Sequence, residues 1–173
     1  MPAKKIFPTG MPPSLVFRIL SRSPNAKTVA YTYIGSELTW PIYWEGTLGK
    51  AKVDLDRASG EIQQKLQSIG GDARVAVLKA IVSQASAAIP VVPLYAALLF
   101  RVMKEQGSHE ECIEHMERRC TTQLLYGAHM RLDDSGRIRF DGIELAETVQ
   151  AEVKRGWSVV DTKNLPELGD LGG

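Results

Sequence analysis

The sequence predicts an α/β fold, and three stretches carry the prediction. "KTVAYTYIG" (Lys27–Gly35) is short, β-branched and aromatic, and it ends on glycine, as a buried strand does. From Glu45 to Ile69 the apolar period changes. Leu48, Leu55, Ile62 and Ile69 recur every seven residues, with Ala51, Ala58 and Leu66 between them, which is one face of a long helix. "ARVAVLKAIVS" (Ala73–Ser83) is then an almost continuous apolar run, suited to an interior strand covered on both faces. A strand, a helix and a second strand form a βαβ unit, so the two strands are expected to be parallel.

The elements follow in order. The opening "MPAKKIFPTGMPPSLVFRILSRSPN" has Lys4, Lys5, Arg18 and Arg22 beside short apolar runs broken by Pro2, Pro8, Pro12, Pro13 and Pro24. Residues 1–25 are expected to be a poorly ordered arm, because "SLVFRIL" is too short for a signal-peptide core and Arg18 interrupts it. Gly70-Gly71 are expected to stop the first helix. Pro90 and Pro93 break the chain after the second strand, and "LYAALLFRVMKEQG" (Leu94–Gly107) reads as a helix. "HEECIEHMERRCTTQLLYG" is a further helix. "MRLDDSGRIRF" (Met130–Phe140) alternates about Asp-Ser-Gly and reads as a small hairpin. "IELAETVQAEVKRGW" is a last amphipathic helix, and residues 169–173 are expected to fray.

At 173 residues the chain has the length of one domain, and its 44% hydrophobic and 24% charged residues are those of an ordinary globular protein. A net charge of +1 gives no field to recruit nucleic acid or an anionic membrane. The most apolar run, Ala87–Phe100, is shorter than the ~20 residues that span a bilayer, so no membrane span is expected. Cys112 and Cys120, without a secretory signal, point to free thiols in a reducing, cytoplasmic setting. Cys112, His115, Cys120 and His129 fit no standard zinc spacing, so no metal is expected.

The densest chemistry lies in "YTYIGSELTWPIYWEGTLGKAK", residues 31–52. A tyrosine is a poor acid or base near neutrality until its surroundings tune it, and a lysine nearby supplies a stabilising charge. On an unbroken helix Lys50 returns to within about 20° of the Tyr43 direction, whereas Lys52 points about 180° away. Gly46 and Gly49 fall in that interval. If Tyr43 precedes the first regular turn, Lys52 becomes the partner. Spacing leaves both lysines open, and a buried aromatic patch with surface lysines is the bland alternative.

"AKTVAYTYIGSELTWPIYWEGTLGKAKVDLDRA", "GGDARVAVLKAIVSQASAAIPVVPLY" and "LLFRVMKEQGSHEECIE" together resemble the single-chain NADH-dependent trans-2-enoyl reductases, the FabV-type enoyl-ACP reductases and trans-2-enoyl-CoA reductases. The likeness runs over residues 26–168. It implies a partial Rossmann-like, short-chain-dehydrogenase-like sheet with flanking helices. The family's hallmark is a tyrosine, eight residues and a lysine, which Tyr43 and Lys52 match. Carried over, the resemblance makes Tyr43 the catalytic acid and Tyr33 a substrate-binding tyrosine. Lys52 becomes the lysine on the nicotinamide ribose, and Ile81, Val82 and Ser83 a segment touching the nicotinamide end of NADH. The run "AAIPVVPLYAALLF" becomes part of an apolar wall along the acyl chain. The implied reaction is reduction of a 2-enoyl thioester, on acyl carrier protein or coenzyme A, in fatty acid synthesis.

Three positions depart from the family pattern. Val53 stands where many members have a second lysine, Lys50 where a small residue is common, and Ser83 where a threonine is frequent. The family's chains are also longer, and its glycine-rich phosphate loop lies in an N-terminal half that residues 1–25 do not resemble. The competing expectation is therefore a truncated, non-catalytic α/β fragment that self-associates through uncovered surface or binds an acyl chain.

Overall fold

The structure is a computed structural model that describes residues 23–89, 91–124, 130–161 and 163–170. A three-stranded sheet runs in the order β1 (Lys27–Thr32), β2 (Asp72–Val77), β3 (Ile138–Arg139). Both pairings are parallel, with Lys27 opposite Asp72 and Ala76 opposite Ile138. The βαβ unit expected from the apolar pattern is present. Its crossover is α1 (Thr47–Leu66), which continues as a 3₁₀ turn over Gln67–Ile69 and stops at Gly70, in the left-handed conformation at φ 70°. The Asn25 N–H donates to the Ile69 carbonyl at 2.9 Å, so the chain is already tied to the fold at that point. The rest of the expected arm, residues 1–22, lies outside the described residues.

The seven-residue spacing read along α1 is only partly the buried stripe. Ala58 and Leu66 are buried and Ala51, Leu55 and Ile62 half-buried, but Leu48 is 39% exposed. A straight helix drifts about 20° per heptad, so a strict seven-residue row cannot stay on one face.

The second strand is shorter than its apolar run. Hydrogen bonding to β1 ends near Val77, and Leu78–Ser83 continue without strand pairing. The apolar character of Leu78–Ile81 serves a cleft and the core instead. A short helix, α2 (Gln84–Ala87), leads to α3 (Val92–Glu105). The helix expected over 109–127 is α4 (Cys112–Arg119), followed by a π turn at Cys120–Leu124; residues 125–127 are outside the described residues.

The predicted hairpin is reduced to one antiparallel bridge, Leu132 with Ile138, around a turn in which Gly136 N–H reaches Asp133 O at 2.8 Å. Its returning strand goes to the main sheet as β3. Ile138 and Phe140 are buried against Ala76, and that burial outweighs further pairing with a short, exposed partner. Last come α5 (Glu147–Val159) and α6 (Leu165–Leu168). Gly169 and Asp170 are held, since the Asp170 N–H donates to Ala97 O at 2.8 Å and its carboxylate pairs with Lys104; residues 171–173 lie outside the described residues.

The main core lies between α3 and α5. Tyr95, Leu98, Leu99 and Met103 meet Val149, Val153 and Ala80 there, and all are at most 3% exposed. This core braces the segment that leaves β2, where the cleft forms.

Candidate functional site

After Thr32 the chain leaves the sheet at its carboxyl end. Gly35, at φ +79°, turns it into a run of short turns. A side chain there would be strained, and its Cβ would stand 2.9 Å from Thr39 Oγ1 and 3.0 Å from the Tyr33 hydroxyl. Thr39 Oγ1 donates to Ser36 O at 2.8 Å, and the indole of Trp40 donates to Gly35 O at 3.1 Å. The Tyr43 N–H donates to Thr39 O at 2.8 Å. These bonds fold residues 36–45 back so that Tyr43 meets Tyr33 edge-to-face, centroids 5.5 Å apart.

Tyr43 therefore sits in a turn before α1 begins at Thr47, and the uninterrupted-helix geometry that favoured Lys50 does not apply. Lys50 is exposed. Lys52 comes back over Tyr43. Its Nζ lies 5.1 Å from the centre of the Tyr43 ring and donates to Thr32 Oγ1 at 3.0 Å. Desolvation lowers the Lys52 ammonium to about 8, with Asp56 opposing the shift. Burial raises Tyr43 above its ordinary value, so its hydroxyl keeps its proton at neutral pH and is suited to donate.

The cleft, of about 180 Å³, is lined by residues that include Tyr33, Tyr43, Lys79, Ile81, Ser86 and Val92. Of the segment Ile81–Ser83, Ile81 faces this cleft. Val82 is 48% exposed and borders a neighbouring depression with Lys79 and Cys112. Ser83 caps α2: its hydroxyl accepts from the Ser86 N–H at 3.2 Å, and its own N–H donates to Ser86 Oγ at 2.7 Å. Of the apolar stretch Ala87–Phe100, Val92 and Ala96 line the cleft, while Tyr95, Leu98 and Leu99 turn into the core. Pro90 lies outside the described residues.

Behind Tyr33 stands a residue that nothing in the sequence spacing singles out. Glu144 is fully buried. Its Oε1 accepts from the Tyr33 hydroxyl at 2.8 Å and the Tyr95 hydroxyl at 2.9 Å, and its Oε2 from the Ala80 N–H. Desolvation raises it to about 7 against the pull of those donors, and burial beside this carboxylate raises Tyr33 well above its ordinary value. In "DGIELAET" it reads as one acidic residue near a helix start, and only the tertiary contact reveals its environment.

Glu144 makes stability pH-dependent. Its folded-state pKa is raised from 4.5 to about 7, so the folded state binds more protons across that window. Stability is expected to fall as pH rises through it, by up to about 3 kcal/mol from this group. Buried His115, lowered to about 4, contributes an opposite slope to both proteins, so the test is the difference between them. In urea unfolding the stability of the wild type relative to Glu144→Gln should fall as pH rises from about 4.5 to 7; parallel slopes in both proteins would refute it.

Of the set Cys112, His115, Cys120 and His129, the described members do not gather to hold a metal. Cys112 and Cys120 are both exposed. His115 is fully buried, with Nδ1 2.9 Å from Glu110 and Nε2 accepting from the Lys79 N–H at 3.4 Å. Its desolvation lowers it to about 4, which makes it a neutral core histidine. His129 is outside the described residues. Among the described residues no three His, Cys, Asp or Glu side chains are grouped to hold a metal, and no helix is long and apolar enough to cross a membrane.

Residues 19–126 match the family model of the trans-2-enoyl-CoA reductase catalytic region, and residues 132–173 match the enoyl reductase FAD binding domain. The chain is 57% identical over 149 residues to an NADH enoyl-[acyl-carrier-protein] reductase of Tolumonas auensis, a match covering 86% of this chain and 37% of that protein. It is 54% identical over 149 residues to the enzyme named FabV in Aeromonas salmonicida, with the same coverage. The chain thus spans well under half the length of these relatives. Among solved structures, a Clostridium trans-2-enoyl-CoA reductase in complex with NADH superposes with a TM-score of 0.83 at 48% identity, covering 86% of this chain and 38% of that one. The Treponema denticola trans-2-enoyl-CoA reductase in complex with NAD gives 0.81 at 37% identity, covering 91% and 41%.

The second family model names a flavin, and the described residues it covers do not fit one. A dinucleotide pyrophosphate favours the positive end of a helix, but α5 opens on the carboxylate of Glu147. Ile138, Phe140 and Glu144 are committed to the interior.

Proposed function

The chain belongs to the trans-2-enoyl-CoA reductase family, and from that premise we propose that it carries the proton-donating, nicotinamide-facing side of an NADH-dependent reduction of 2-enoyl thioesters in cytoplasmic fatty acid synthesis. The observation that carries this reading is one cleft at the carboxyl ends of parallel strands, where open α/β sheets bind their ligands, lined by Tyr43, Tyr33 and Thr32, with the Lys52 ammonium bonded to Thr32 and set over the Tyr43 ring.

The residues present fit the nicotinamide end of the cofactor. Lys52 is an ammonium already lifted partly out of water and holding one hydroxyl, that of Thr32; a ribose hydroxyl offers it the same chemistry. At about 180 Å³ the cleft is smaller than the roughly 300–1,000 Å³ that encloses a drug-sized ligand, so it suits one end of a dinucleotide. NADH, when bound, supplies a hydride to the β-carbon of the enoyl group. Negative charge then gathers on the thioester carbonyl oxygen. The Tyr43 hydroxyl, kept protonated by burial, donates to that oxygen and stabilises the charge. A proton taken up from solution at the α-carbon, together with the hydride, completes the saturated thioester. Val92 and Ala96, on the cleft wall, give the acyl chain an apolar surface. Acyl carrier protein and coenzyme A both present the same thioester to this cleft.

The test is NADH oxidation by this chain with a short trans-2-enoyl-CoA and with the corresponding enoyl-ACP. Turnover with either supports the reading. A folded chain that oxidises no NADH with either overturns it in favour of a non-catalytic segment. Lys52→Met, which keeps the packing stem, is expected to raise KM for NADH about tenfold or more with a smaller effect on kcat. NADH affinity in the wild type should weaken as pH rises through about 8, where Lys52 loses its charge. An affinity flat across that range would remove Lys52 from the cofactor site.

A further inference from the structure

A buried hydrogen-bond chain runs away from the cleft behind Tyr33, with Glu144 at its centre. The outer arm is Gln150 on α5. Its Nε2 donates to the Tyr95 hydroxyl at 3.1 Å and to the Glu144 carbonyl at 2.8 Å, and its Oε1 accepts from Ser36 Oγ at 2.6 Å. Among the described residues no ion pair reaches Glu144. The titratable and charged groups facing it are Tyr33 beyond β1, Tyr95 from α3, Asp141 from its own turn and Lys79 beyond β2. Asp141 is itself held by Arg139.

The bonds dictate what one added proton must do. An ionised carboxylate only accepts. Both tyrosine protons then turn inward to Oε1, and Tyr33 shows the cleft only its oxygen lone pairs. A protonated carboxyl must place one O–H. Oε2 already faces the Ala80 N–H, so the proton goes to Oε1, between two hydroxyl oxygens. The Tyr95 oxygen is already taken by Gln150. Among the described residues the Tyr33 oxygen accepts from no donor, so it receives the bond, and its own O–H is freed toward the cleft that Tyr33 lines.

We infer that Glu144 is a positioning residue that sets the direction of the Tyr33 hydroxyl, inward when the carboxyl is ionised and into the cleft when it is protonated. Burial places the Glu144 titration near neutrality, at about 7, so both directions are populated there. Resting on the function proposed above, the freed hydroxyl is a second donor to the thioester carbonyl oxygen beside Tyr43. The proton taken up by Glu144 comes from solution and is not consumed in turnover.

The experiment is carbon-13 NMR of the full chain, labelled at tyrosine Cζ and glutamate Cδ and titrated through neutral pH, with Tyr33→Phe to assign the tyrosine signal. The Tyr33 and Glu144 signals are expected to move together with a common midpoint near 7, and in Glu144→Gln the Tyr33 signal should stay fixed. A Tyr33 signal that ignores the Glu144 titration, or one that still moves in Glu144→Gln, overturns the inference; if Glu144→Gln does not fold, co-titration in the wild type decides. In turnover assays kcat/KM should fall about tenfold or more above the midpoint in the wild type and be flat through that window in Glu144→Gln, and a flat wild-type profile overturns the catalytic use of the switch. The NMR arm needs no turnover. Co-titration without NADH oxidation therefore supports the switch while overturning the enzymatic reading, and oxidation without co-titration overturns the switch alone.

Discussion

Tyr43→Phe is expected to lower kcat for NADH-dependent reduction of a 2-enoyl-CoA by about 10²- to 10⁴-fold, the range over which a positioned acid acts, while leaving the fold in place. The substitution removes only the hydroxyl. The ring that packs edge-on against Tyr33 and beneath the Lys52 ammonium remains. Among the described residues no hydrogen bond holds that hydroxyl, so its loss strands no buried partner and should cost less than about 1 kcal/mol. Steady-state kinetics beside thermal unfolding separates the two effects. A loss of only a few-fold would move the acid role away from Tyr43, with Tyr33 the nearest other hydroxyl on the cleft.

Gly49→Ala should damage both stability and activity, against the ordinary rule. Within a helix, alanine is usually better than glycine by roughly 0.5–1 kcal/mol. Gly49 is buried in the first turn of α1, and a Cβ built there falls on the backbone carbonyl of Trp44. A backbone atom cannot swing aside as a long side chain can, so the turn over Trp40–Glu45 or the start of α1 must shift. That turn carries Tyr43, and Lys52 lies one helical turn past Gly49. Destabilisation at or above the upper end of the ~1–3 kcal/mol typical of overpacking is expected, read as a lower urea midpoint, together with reduced turnover in the folded fraction. An unchanged or raised midpoint would contradict the close approach of Trp44 to α1.

The parts of this protein that the sequence announced are those that local pattern encodes. The runs at Lys27–Gly35 and Ala73–Ser83 declare strands, and the helical period between them declares the crossover that makes those strands parallel. The family was legible in the same way, since the blocks around "YTYIGSELTWPIYWEGTLGKAK" are contiguous stretches of chain. The hairpin expected at Met130–Phe140 forms only in part, because its turn is local but its final pairing is not. Ile138 leaves a short partner for Ala76, sixty-two positions earlier, where burial is available.

By itself the sequence determined the α/β class, the element order and the aromatic and basic side chains available near Tyr43. Where helix spacing left Lys50 and Lys52 open and only the family likeness favoured Lys52, the tertiary structure decided which of them meets Tyr43. The turns at Gly35–Glu45 put Tyr43 outside the helix, so Lys52 and not Lys50 comes over its ring. Glu144 reaches Tyr33 across a separation of 111 residues. Periodicity records which face of a segment is buried, but a carboxylate's environment is set by the groups that other segments bring to it, and desolvation at that meeting point is what moves Glu144 toward neutrality.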